Sequence, residues 1–318
     1  MLQETVARLV PLTRRDRIVV VTAHAQASAV RAQLRALRGV RVLVEPEGRN
    51  TAAAIALAAL HVQRLAPDAV MAVLPADHAI ADRRLFAADL ALAFTAAERT
   101  GALVTIGVPP THPETGYGYI RPGEPLADTG GRAFRVAAFI EKPDRARAEA
   151  LLAEGAVRWN AGIFAWRVTA ILDALRAHLP EVLEPLEAAL ARRSARALAA
   201  AYRRLPSVSI DVGVMERAAN VVMVEARFPW SDVGSWAAIE PLWRADGNGA
   251  NAVRGRAIAV DSRGCIVDSP RRLVALLGVD DLVVIDTPDA LLVCPKRRAQ
   301  DVRLVVEELR RRGLRRHL

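Results

Sequence analysis

The chain has 318 residues, 52% hydrophobic and 25% charged, a balance that excludes disordered and low-complexity classes. Its 44 basic and 35 acidic residues leave a net charge of +9, and arginine supplies every basic side chain except Lys142 and Lys296. The positive charge is dispersed outside the tail RRRGLRRHL and aromatics are only 4%, so no nucleic-acid partner is expected. No apolar run reaches the roughly 18 residues of a membrane span. The opening MLQETVARLVPLTRRD lacks the apolar stretch of an export signal. Cys265 and Cys294 are too few for a disulfide framework, so a cytoplasmic protein with reduced thiols is expected.

Along the chain, Leu2, Val6 and Leu9 mark one helix face. Ile18 to Val21 reads as a strand, 25–38 as a helix and Val40 to Val44 as a strand. Ile55, Ala58, Val62 and Leu65 then form a helix stripe at spacings of 3, 4 and 3. Val70 to Leu74 is predicted as strand, Leu85 to Arg99 as helix and Leu103 to Val108 as strand. This alternation predicts parallel pairing in a doubly wound α/β sheet. Phe134 to Ile140, Gly162 to Trp166 and Val221 to Glu225 add strands, and 169–205 is mostly helical. The run ADGNGAN places a boundary near 245, giving domains 1–245 and 246–318. Beyond it, short apolar bursts without intervening helices predict a small β-solenoid-like module. A last helix carries Val302, Val305, Val306 and Leu309, with Glu307→Arg311 and Glu308→Arg312 pairs opposite.

In open sheets, ligands bind just past the carboxyl ends of strands, and four such segments carry polar residues. EPEGRNTAAAI (45–55) offers Glu45, Gly48, Arg49 and Asn50, with Thr51 placed to cap the next helix. The same text also fits an ordinary capped loop. LPADHAI puts Asp77 at a strand end, suited either to Mg²⁺ carried in with a nucleotide or to a turn. His78 beside it lacks a second histidine at zinc spacing and reads as structural or as support for a neighbouring ligand group. EKPD carries Lys142, a lysine in a chain of arginines, suited to a phosphate, and Glu141, suited to sugar hydroxyls. An exposed turn is the alternative. FPWSDVGSW holds Asp232, with Trp230 and Trp236 read as core packing. TGYGYI could be a glycine-loosened hairpin, and WNAGIF a buried strand with Asn160 turned toward a ligand. No G-x-S-x-G or cysteine–histidine motif supports a covalent nucleophile.

In order, EPEGRNTAAAIALAAL, LPADHAI, TIGVPPTHPETGYGYI, FIEKPD, WNAGIF, SIDVGVMERA and FPWSDVGSW closely resemble the mannose-1-phosphate guanylyltransferases, within the sugar-1-phosphate nucleotidyltransferases. The resemblance implies a Rossmann-like doubly wound mixed sheet. It implies guanine and ribose contacts from 45–51, with Mg²⁺ on Asp77 and Asp232. It also implies a sugar site of Tyr117, Gly118, Glu141 and Asn160, with Lys142 on the sugar phosphate. GTP and mannose 1-phosphate would give GDP-mannose and pyrophosphate, in a protein that could form a homodimer. Non-catalytic sugar-nucleotide binding and a different hexose 1-phosphate remain alternatives.

Family members open with a strand and a loop of the type LAGGSGTRLWPLSR, whereas Met1 to Thr5 match the helix that follows these. A start placed too late is expected in preference to a genuine truncation, and little or no transfer by the 318-residue chain in either case, because backbone N–H groups of that loop wrap the triphosphate. The text stops without an isomerase-like extension, so a single activity is expected.

Overall fold

β-Branched apolar runs pack well on a pleated surface, and apolar residues three and four apart share one side of a helix. The computed structural model describes residues 1–243 and 250–317. They fall into two compact units, Met1–Trp230 and Ser231–Leu318. The boundary expected between 245 and 246 lies outside the described residues. No described helix is long and apolar enough to cross a membrane.

In the first unit α1 (Leu2–Leu9) leads into β1 (Val19–Ala23), α2 (Ala27–Leu34), β2 (Arg41–Glu45) and α3 (Asn50–Leu65). There follow β3 (Val70–Val73), the two-residue β4 (Ala79–Ile80), α4 (Arg83–Thr100) and β5 (Leu103–Val108). Next come β6 (Tyr119–Pro125), β7 (Ala133–Ile140), α5 (Arg145–Glu154) and β8 (Arg158–Arg167). Helices α6 (Val168–His178), α7 (Pro180–Ala191) and α8 (Ala195–Tyr202) precede β9 (Val221–Glu225) and the two-residue β10 (Trp230–Ser231).

The expected single parallel sheet is not what forms. β1 and β2 pair in parallel as a sheet of their own, while β3 joins a six-stranded sheet of order β3-β8-β5-β9-β7-β6. Within it only β5–β9 is parallel; β8 runs antiparallel to β3, β5 and β6. An apolar run specifies that a strand is buried, but not which strand lies beside it. TGYGYI leads into a hairpin: Tyr119 and Ile120 open β6 and pair antiparallel with Ile140 and Phe139 of the next strand, β7.

β8 pairs through its first residues with β6 and through its last with β3, and it turns between them at Gly162, whose φ is +63°. Only glycine adopts that conformation cheaply. Asn160 sits just before the bend, which carries it to the entry of β6. A second glycine is fixed by packing: a Cβ on Gly107 would collide with Met223. Gly107→Ala is therefore expected to cost about 1–3 kcal/mol through overpacking, read as a lowered midpoint in thermal unfolding. An unchanged midpoint would mean that Met223 swings aside freely.

The sheet has a core on each face. One joins α3, α6 and α7 through Leu57, Trp166, Ile171 and Leu183; the other joins α4 through Phe86, Leu90, Ile106 and Ile163. α3 buries more than the expected stripe. Its alanines at 52, 53, 56 and 59 are fully buried, while Leu65 at its end is exposed, because small side chains admit neighbours on several sides.

The second unit contains β11 (Ala252–Val260), β12 (Ile266–Leu277), β13 (Leu282–Asp286), β14 (Leu291–Pro295) and α9 (Val302–Arg311). β11–β12 and β12–β13 are parallel and joined without a helix, and β13–β14 is antiparallel. In α9 the expected Glu308–Arg312 pair forms, but Arg311 pairs with Glu308 rather than Glu307, since i,i+3 and i,i+4 neighbours compete for one cation. Both cysteines are free thiols.

Candidate functional site

Where β7 ends and β8 bends, the first unit gathers five of the expected residues. Tyr117 O accepts from Lys142 N at 3.2 Å, and Gly118 O accepts from Asn160 N at 2.8 Å. The absent side chain of Gly118 makes room for Glu141, because a Cβ there would stand 2.5 Å from Glu141 Oε2. That oxygen is buried and has no hydrogen-bond partner among the described residues. Glu141 Oε1 lies 3.3 Å from Lys142 Nζ. Lys142 itself is held at φ +45°, a left-handed conformation that costs a non-glycine residue of order 1 kcal/mol and gathers at functional sites.

Burial, chiefly, and then the nearby Asp211 push the Glu141 carboxyl up to about 6, against the pull of Lys142. Burial also raises Asp211, opposed by its hydrogen bond from Asn160. Asn160 Nδ2 donates to Asp211 Oδ1 at 2.8 Å, and Thr105 Oγ1 donates to Asn160 Oδ1 at 2.9 Å. Glu216 Oε1 accepts from Glu141 N at 2.8 Å. Asp211, Glu216 and Thr105 were not among the expected site residues. Asp211 and Glu216 stood in the quoted run SIDVGVMERA, but that run follows no strand.

Edge-to-face rings tie this cluster to the loop after β3. Tyr117 packs between Trp159 and Trp230, with centroids 5.2 and 5.3 Å away. The Trp230 indole donates to His78 Nδ1 at 3.1 Å, so that ring nitrogen acts as an acceptor. Trp230 packs on the core of the α4 face, as expected. Asp77, immediately before His78, is exposed. The main chain on either side of it is held from α1, with Thr5 Oγ1 donating to Ala76 O and Arg8 Nη2 to His78 O. No described group of three or more histidine, cysteine, aspartate or glutamate residues is placed to hold a metal.

The 45–51 loop is ordered differently from expectation. Thr51 does not cap α3; its Oγ1 accepts from Ile210 N at 2.8 Å. Asn50, at φ +64°, bonds the Thr51 amide with its own side chain instead. Arg49 is braced by Glu47 at 2.6 Å and by Arg203 O at 3.0 Å. Gly48 is exposed. Glu45 is buried, and burial raises its carboxyl, opposed by the neighbouring Tyr202 hydroxyl. Asp232 belongs to the second unit, where its Oδ1 accepts from Gly234 N at 2.9 Å; Trp236 packs on that unit's small core, as expected.

Residues 1–247 match the family model described as nucleotidyl transferase, and 255–309 the model described as MannoseP isomerase/GMP-like beta-helix domain. Over 317 residues the chain is 41% identical to a mannose-1-phosphate guanylyltransferase of Klebsiella pneumoniae, covering 98% of this chain and 67% of that one. It is 40% identical over 277 residues to the alginate biosynthesis protein AlgA of Pseudomonas aeruginosa, covering 86% of this chain and 57% of that one. A solved structure from Thermus thermophilus, described as a mannose-1-phosphate geranyltransferase, is 40% identical. It superposes with a TM-score of 0.87, over 97% of this chain and 89% of that one.

Proposed function

The chain belongs to the nucleotidyl transferase family, among the mannose-1-phosphate guanylyltransferases, and on that footing we propose that it forms GDP-mannose from GTP and mannose 1-phosphate. The observation that carries the sugar end is the buried, unpartnered Glu141 Oε2 between Gly118 and Lys142. An unpaired buried acceptor costs roughly 1–3 kcal/mol, and a sugar hydroxyl donating to it relieves that cost.

In the proposed reaction an oxygen of the sugar phosphate attacks the α-phosphorus of GTP. The new P–O bond forms as the bond from that phosphorus to the bridging oxygen breaks, and pyrophosphate leaves with the electron pair. Little of the chemistry then needs a side chain that shares electrons; positioning and charge neutralisation do the work. Lys142 supplies a compact ammonium for the sugar phosphate, Glu141 accepts from a hydroxyl and Asn160 donates to another. Tyr117 and Gly118 line the same end. Arg49, braced by Glu47, is presented to the nucleotide with Glu45, Gly48, Asn50 and Thr51 around it. Asp77 would hold Mg²⁺, which when bound neutralises phosphate charge; the motif FPWSDVGSW carries the same proposal for Asp232.

For the second unit, the short helix-free links between parallel strands support a β-solenoid reading. The exposed Ile258, Val260, Leu273 and Leu277 support a homodimer. Cytoplasmic residence is proposed from the sequence alone.

The test is direct. Incubation with GTP, mannose 1-phosphate and Mg²⁺ should yield GDP-mannose and pyrophosphate in equal amounts, resolved by anion exchange. ATP or UTP should react at least about 100-fold more slowly, because a site that hydrogen-bonds one base leaves buried groups unpaired with another. Equal use of the three nucleotides would sink the guanylyl assignment.

A further inference from the structure

The amide of Asn160 is almost fully committed. Its Oδ1 accepts from Thr105 Oγ1 at 2.9 Å and from Gly162 N at 3.1 Å, which fills both lone pairs. Its Nδ2 spends one of two N–H groups on Asp211 Oδ1 at 2.8 Å. What remains for a ligand is a single donor. Without Asp211 the nitrogen end loses its only charged acceptor among the described residues, and the amide's orientation rests on the single Gly162 N–H at 3.1 Å, since the Thr105 hydroxyl can also accept.

The segment that carries Asp211 also reaches the expected nucleotide loop. Val208 O accepts from Ala52 N at 3.2 Å, and Ile210 N donates to Thr51 Oγ1 at 2.8 Å. Asp211 then opens a π-helical turn, Asp211–Met215, a geometry that is rare and frequent at functional sites. Ser209 Oγ accepts from Val212 N at 3.2 Å and holds the entry to that turn. Within this stretch Ile210 touches Thr51, the last residue of the 45–51 loop, and its neighbour Asp211 touches the Asn160 amide.

We infer that Asp211 is a positioning residue for the sugar: its carboxylate locks the Asn160 amide so that the sugar meets an N–H and no amide oxygen. Beside the acceptor Glu141 Oε2, this makes a donor and an acceptor side by side, suited to two neighbouring hydroxyls of a hexose. The inference rests on the guanylyltransferase reading. It also places a negative charge beside Glu141, whose other charged neighbours are Lys142 and Glu216.

Calorimetric titration with GDP-mannose and with GDP separates the two claims, because only the former carries a sugar. The wild-type chain should bind GDP-mannose more tightly than GDP; equal affinities would overturn the sugar site and this inference with it. In Asp211→Ala the preference for GDP-mannose should fall about tenfold, with GDP affinity within about twofold of wild type. Asp211→Asn keeps an acceptor for Asn160 and loses the charge, so near pH 7 its preference should stay within about threefold of wild type. Without that charge the Glu141 carboxylate is easier to maintain. The acid-side loss of GDP-mannose binding should thus move below the wild-type position near 6. If wild type prefers GDP-mannose and both variants keep that preference and its pH profile, or if both lose GDP and GDP-mannose alike, Asp211 is not a positioning residue.

Discussion

Replacing Asp89 by alanine should remove about 2–3 kcal/mol from the first unit, the cost of losing a buried charged acceptor that serves several donors. Asp89 is fully buried on α4. It accepts from Arg132 Nη1 at 2.6 Å, from Arg227 N at 2.8 Å and from Arg227 Nε at 2.9 Å. Arg132 lies in the turn before β7 and Arg227 just past β9, so a single carboxylate pins the helix to both strands. Its removal leaves one main-chain N–H without its acceptor and turns the partly exposed guanidinium groups of Arg132 and Arg227 out to water. Asp89→Asn keeps the shape but turns an amide N–H₂ toward donors, and should cost a similar amount. Urea unfolding followed by circular dichroism measures it: the midpoint should drop with little change in slope. A loss below about 1 kcal/mol would mean that the pair behaves as an exposed one.

The sequence alone could not point to this network. Asp89 sits inside a helix pattern and its partners are 43 and 138 residues away, so no local spacing marks it. The same holds for Asp211, which bonds Asn160 across 51 residues. What was legible was local. Strands announced themselves as short apolar runs, and strand ends exposed EKPD and LPADHAI as places to look, with WNAGIF marked as a buried strand that turns Asn160 toward a ligand. Lys142 stood out because arginine fills nearly every other basic position. Pairing was not legible: only Gly162 to Trp166 reads as strand, yet β8 runs from Arg158 to Arg167 and serves three neighbours by bending at Gly162. Nor was the destination of Thr51, since a hydroxyl at a helix start satisfies its own helix or a distant amide such as that of Ile210 equally well.

Lys142 should have the largest single effect on transfer. Its side chain is exposed at the end of β7, with Nζ 3.3 Å from Glu141 Oε1, while its backbone N–H is tied to Tyr117 O. The main chain is thus fixed in a costly left-handed turn and the charge is left at the mouth of the site. A cation aimed at a phosphate that gains charge sharing in the transition state contributes mainly to the rate. Lys142→Met is expected to lower kcat/KM for mannose 1-phosphate about 10²–10³-fold, or roughly 3–4 kcal/mol. KM for GTP should change far less. Lys142→Arg should rescue only partly, because a planar fork does not replace a compact ammonium at a point contact. Loss of the ammonium also removes the cation that holds the Glu141 proton off. The acid limb of the rate profile should therefore move above its wild-type position near 6. Coupled pyrophosphate release across pH measures both effects together. A loss smaller than about tenfold, with the acid limb unmoved, would show that Lys142 only closes a turn.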